Sequence, residues 1–80
     1  MMADAEMFDK IKKAIDTSPR NAYTAELHLQ IIKYADHLDG VSGKEFCDLL
    51  SLPASYSTEY TKMIKIAPRL RKAGLDPEHI

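Results

Sequence analysis

The chain has one cysteine in 80 residues, Cys47. A lone thiol makes no internal disulfide and no cysteine-based metal cluster, and it suits a reducing compartment. Long apolar runs are also missing. Nothing approaches the roughly 20 consecutive apolar residues that span a bilayer, and Met1 to Ala5 has neither the basic start nor the apolar stretch of a signal peptide. These features lead to the expectation of a cytoplasmic protein without a membrane partner. A Gly-rich phosphate loop, an HExxH pair and an EF-hand loop are absent as well. His28 and His37 lack a second cysteine or an acid at ligand spacing, so no metal site is expected. Cys47 with either histidine lacks a third orienting group, and a cysteine on the inner side of a short helix is ordinary packing. No catalytic residue and no cofactor is assigned; an enzyme is not expected.

What remains is the composition of a small globular chain: 45% apolar and 29% charged, with four prolines and three glycines. Folding a chain this short removes only about 60% of its unfolded surface from water, enough for one core. A single helical domain over residues 1–80 is therefore expected. The formal net charge of −1 conceals an asymmetry. Residues 1–50 carry six basic and nine acidic side chains, a balance of −3; residues 51–80 carry five and three, a balance of +2. Lys62, Lys65, Arg69, Arg71 and Lys72 fall within eleven residues with no acid among them. Such a strip is an electrostatic footprint for a polyanion or, more plainly, a solvated helix face.

Periodicity predicts an all-α fold, a compact bundle of four main helices with a further short C-terminal helix. From Ala5 to about Asp16, Met7, Phe8, Ile11, Ala14 and Ile15 recur at helical spacing. A second helix should start between Ala22 and Ala25 and run to about Leu38, closed by Asp39 and Gly40. Its apolar arc is wide: Leu27, Ile31, Tyr34, Ala35 and Leu38 make one stripe, while Leu29 and Ile32 lie well round the side. Either this helix is central to the bundle or Leu29 and Ile32 form a dimer interface. Ser42 and Glu45 have capping-box spacing, so a third helix should start at Gly43 and end near Leu50, with Phe46, Leu49 and Leu50 turned inward. Ser51, Leu52 and Pro53 then break it.

Ser55 or Ser57 is expected to cap a fourth helix. In that helix Tyr56, Tyr60, Met63, Ile64 and Ala67 share one arc, and Thr58, Thr61, Lys62 and Lys65 share the opposite one. Glu59 lies between the two faces. Pro68 should end helix four and open the short helix "PRLRKA", stopped by Gly74, with 75–80 as a frayed tail.

The stretch "KEFCDLLSLPASYSTEY" resembles the helix-turn-helix of small bacterial and phage regulators: apolar Phe46 and Leu50, small Cys47 at the helix crossing, a turn at Ser51 with Leu52 following, then a second helix. The likeness covers about residues 41–66, with the helix-turn-helix itself at about 42–66. Ser51 stands where glycine is common and Ser57 where a branched apolar residue is usual, so Tyr56 and Tyr60 would supply that packing. The resemblance implies a DNA-binding transcriptional regulator with helix four in a major groove of double-stranded DNA and helix three crossing the backbone. Thr58, Thr61 and Lys62 would face base edges, Lys44, Lys65, Arg69, Arg71 and Lys72 would neutralise phosphates, and Ser55 and Ser57 complete the candidate contacts. Useful specificity from so small a module implies a homodimer. The competing reading is a helical protein-interaction module or accessory subunit that binds no DNA.

Overall fold

The computed structural model describes residues 2–80, with side chains from Ala5 onward. It is all-α: four helices, α1 (Met2–Asp16), α2 (Tyr23–Lys33), α3 (Gly43–Leu50) and α4 (Tyr56–Lys72), joined and followed by short 3-10 turns, with no strand among the described residues.

In α1, Met7, Ile11 and Ile15 repeat every fourth residue and are buried against the other helices. The helix ends where Thr17 and Ser18 turn their hydroxyls back onto the carbonyls of Lys13 and Ile15, at 2.8 and 2.7 Å. Such bonds compete with further helical turns. Lys12 reaches across to donate to the Leu50 carbonyl at 3.1 Å, placing a cation at the negative end of α3.

Helix α2 is shorter than expected. It starts at Tyr23, but beyond Lys33 the chain tightens into a 3-10 turn over Ala35–Leu38. The chain beyond that turn is held from another helix. Tyr60 of α4 donates its hydroxyl to the Val41 carbonyl at 2.7 Å, with the Leu38 carbonyl 3.3 Å away, so the end of this segment is satisfied from outside rather than by a further helical turn. Leu38 stays buried and Gly40, at φ +86°, turns the chain. Helix α2 packs against both α1 and α4. Ile32 is buried, which removes it from any surface shared with Leu29, and this is the geometry of a central helix.

Helix α3 has the expected capping box: the Glu45 amide donates to Ser42 Oγ at 3.1 Å and the Ser42 amide to Glu45 Oε1 at 3.2 Å. Phe46, Cys47 and Leu50 are buried, but Leu49 is 58% exposed, against expectation. In a helix of eight residues the inner arc is filled by Phe46, Cys47 and Leu50, and Leu49 lies about 100° round from Leu50 on the outer side. The turn that follows places Ser51 in the left-handed region, at φ +56°. The Leu52 amide bonds back to the Cys47 carbonyl and the Ser51 amide to that of Asp48. A serine thus occupies the place glycine usually takes at a helix end.

Two expectations about α4 are corrected. Neither Ser55 nor Ser57 caps it: Ser55 is already helical, and the Pro53 and Ala54 carbonyls accept the Tyr56 and Ser57 amides, each at 3.0 Å. Nor does Pro68 end it, since α4 runs on to Lys72 and absorbs the expected fifth helix. Proline removes one bond, to the Ile64 carbonyl, and Pro68 itself lies exposed where water can reach. The true stop is Gly74, at φ +114°, with the Gly74 amide on the Arg71 carbonyl and the Leu75 amide on that of Leu70. Beyond it, 75–80 is folded, not frayed. Asp76 caps a 3-10 turn over Pro77–His79, and Lys33 of α2 holds the Ile80 carbonyl at 3.2 Å.

The core gathers α1, α2, α3 and α4 around Phe46, which is fully buried. The Phe46 ring stacks on Tyr60 at 4.4 Å between centroids and meets Phe8 at 6.3 Å.

Candidate nucleic-acid interface

The corner between α3 and α4 is drawn tight by two small residues. A side chain at Gly43 would meet the Ser57 Cβ at 2.9 Å and the Ser57 carbonyl at 3.1 Å, so the two helices touch at this point. Cys47, one helical turn along from Gly43, is buried on the same side. Ser57 is therefore the small partner of a close helix crossing, which explains why no branched apolar residue stands there. It is half-buried, and its carbonyl accepts the Thr61 hydroxyl at 3.0 Å. That takes Ser57 off the outer surface. The sequence signal for this crossing was the Gly43–Cys47 spacing of four, which turns both small side chains to one face.

Burial determines which face of α4 points outward. Tyr60 and Ala67 are buried, and Tyr56, Met63 and Ile64 are partly buried beside them. Thr58, Lys62, Lys65, Arg69 and Lys72 are all exposed and follow the spacings of four, three, four and three that keep residues on one side of a helix. They form a stripe about 21 Å long, at 1.5 Å per residue. Thr61 flanks it, also exposed, and Ser55 stands exposed at the helix start. Lys44 is exposed on the first turn of α3.

Arg71 does not join the stripe. It projects from the inner side of α4 and forms an ion pair with Asp36, in the turn after α2. This ion pair was invisible in the sequence because its partners are 35 positions apart.

One carboxylate is carried by α4, and it is occupied. Glu59 binds His28 of α2 at 2.8 Å and has Lys62 at 3.8 Å. One of its oxygens faces the neighbouring helix and the other reaches Lys62, so Glu59 borders the stripe, whose own members carry only hydroxyl, ammonium and guanidinium groups. A surface of that kind attracts phosphate and repels acidic partners.

The remaining titratable features describe packing. Burial pushes the Cys47 thiol up, away from the reactive thiolate. Burial pushes the Tyr60 phenol up to about 12, with Glu45 adding to the effect. Among the described residues no group of three His, Cys, Asp or Glu side chains is placed to hold a metal ion, and no helix is long and apolar enough to cross a membrane.

The sequence matches the family model of the HTH-like domain over residues 3–73. No curated protein and no solved structure matches it. The match takes in all of α3, the corner and α4, together with the two helices that support them, and the chain belongs to the HTH-like domain family.

Proposed function

We propose that the protein is a DNA-binding transcriptional regulator of the cytoplasm, without catalytic activity, and that α4 enters the major groove of double-stranded DNA. The observation that carries this reading is the carboxylate-free stripe of Thr58, Lys62, Lys65, Arg69 and Lys72 on the second helix of the corner. Thr58, Thr61 and Lys62, in the first half of α4, face base edges, and Ser55 stands at its entry. Lys65, Arg69 and Lys72, toward the other end, neutralise phosphates, with Lys44 of α3 contributing from the crossing helix. Ser57, packed against Gly43, and Arg71, paired with Asp36, are left out of this set. Binding to a random duplex across a range of salt tests the reading. Three or four neutralised phosphates give a slope of log affinity against log salt of roughly −2.7 to −3.6. No detectable binding at low salt would overturn it.

A second reading is favoured by a different observation. Leu29, Ile66 and Leu70 are 44%, 43% and 37% exposed, on the two adjacent helices α2 and α4. Half-exposed aliphatic side chains of this kind suit a protein contact. On a regulator the contact is a homodimer that includes Leu29, since one small module offers few base contacts. On an interaction module it is the functional surface itself. Sedimentation separates a self-associating chain from a monomer: Leu29→Lys should give a folded monomer where the native chain dimerises.

A further inference from the structure

Away from the DNA-facing stripe, the ends of α2 and α4 and the turn at 76–80 border an open cleft of about 520 Å³. That is the size of a small-molecule site. Its walls are Lys33, Tyr34 and His37 from α2 and the turn after it, Arg71 from the last turn of α4, and Leu75 and Pro77 from the folded tail. Three features of these walls point to one kind of occupant.

The first is Arg71. Its Nη1 donates to Asp36, but its Nε–H is buried with no acceptor among the described residues. A buried donor without a partner is costly, and the Nε edge of a guanidinium is one that carboxylates engage in a fork. The second is Tyr34, whose ring faces Lys33 Nζ at 5.5 Å and packs against His37 at 6.4 Å between centroids. The ring thus carries positive charge over one of its faces, from an ammonium that also holds the Ile80 carbonyl. The third is a pair of carboxylates, Asp76 and Glu78, in the same lining. Asp76 already accepts the Glu78 amide at 3.0 Å, and two carboxylates beside one cleft disfavour a multiply charged anion.

We propose that this cleft binds a small ring-bearing monocarboxylate, its carboxylate on the Nε edge of Arg71 and its ring against Tyr34. The Arg71 side chain shifts on binding to uncover Nε, and the ligand supplies the acceptor that edge lacks. A bulkier phosphate is turned away by Asp76 and Glu78, and a carboxylate without a ring forgoes the Tyr34 surface.

Sodium benzoate is the probe, added to isotope-labelled protein at constant ionic strength and followed by amide chemical shifts without DNA. The expected result is saturable shifts at Lys33, Tyr34, His37, Leu75 and Glu78, with affinity on the order of millimolar for a ligand this small. Arg71→Gln should weaken binding at least tenfold while distant amides stay in place, and Tyr34→Leu should weaken it comparably. Acetate and inorganic phosphate should give no saturable shifts at the same concentrations. The proposal fails if benzoate shifts are linear or scattered, or if both variants bind as the native chain does. It also fails if acetate or phosphate binds as tightly. Because no DNA is present, failure here leaves the reading of α4 untouched, and failure of DNA binding leaves this site untouched.

Discussion

At the scale of single residues, two aromatic side chains hold the fold. Phe46 is fully buried between Phe8 and Tyr60, and truncating it opens a cavity that the surrounding helices cannot close. Phe46→Ala should destabilise the domain by roughly 3–5 kcal/mol in denaturant unfolding. Tyr60 contributes through its phenol, which donates to the Val41 carbonyl ahead of α3. The phenol ionises near 10 when unfolded and at about 12 in the folded chain, because burial disfavours its charged form. Its contribution is therefore complete below pH 10 and is lost as pH rises toward 12. Unfolding measured across that window should show the native chain losing stability faster than Tyr60→Phe, which has no phenol to ionise. Phe46 and Leu50 were legible as core from spacing alone, and Leu49 was not. An apolar residue at the edge of a short helix is sorted by how many neighbours the helix has, and α3 lies mainly against α4 with a smaller contact to α1.

At the scale of elements, local signals succeeded where the interactions are local. The Ser42–Glu45 box spans three residues, and both of its hydrogen bonds form. Gly74 was read as a stop and is one, since a left-handed conformation is a property of a single residue. The early end of α2 is not legible in its own residues, since the segment beyond Lys33 is held by Tyr60, 22 and 19 positions from the Leu38 and Val41 carbonyls it reaches. Pro68 was misread for the opposite reason. Its local cost is real, but Ala67 is fully buried and Arg71 is tied to Asp36, so tertiary contacts hold the helix on both sides of the proline. That cost should be recoverable. Pro68→Ala restores the amide facing the Ile64 carbonyl, and it should raise stability by about 1–3 kcal/mol in urea unfolding, with helical content unchanged or slightly higher. A loss of stability would mean that the proline ring makes a packing contribution larger than the bond it removes.

At the scale of the whole molecule, charge is separated by side rather than by sum. A chain with a net charge of −1 presents a basic stripe on one side, bordered by Glu59, which binds His28 and lies 3.8 Å from Lys62, while Arg71 is turned to Asp36. The basic cluster was legible in the sequence, but its division was not. Lys62, Lys65, Arg69 and Lys72 fall on the outer face, whereas Arg71 is drawn inward by an acid on a different segment. That division predicts a hierarchy among substitutions that a uniformly basic tail would not show. Residues on the stripe should affect DNA binding, and Arg71 should not, although all lie within eleven positions.

The most direct measurement compares three variants, Thr58→Ala, Lys65→Ala and Arg71→Gln, on a selected duplex and on random duplex at several salt concentrations. With α4 in the major groove, Thr58→Ala costs roughly 1–3 kcal/mol on the selected site and little on random duplex. Lys65→Ala weakens both duplexes alike and makes the salt slope shallower by about one unit. Arg71→Gln leaves the slope unchanged, because its charge is already paired and faces away. Equal effects of all three, or no effect of Thr58→Ala and Lys65→Ala on either duplex, would contradict the placement of α4 as the reading helix.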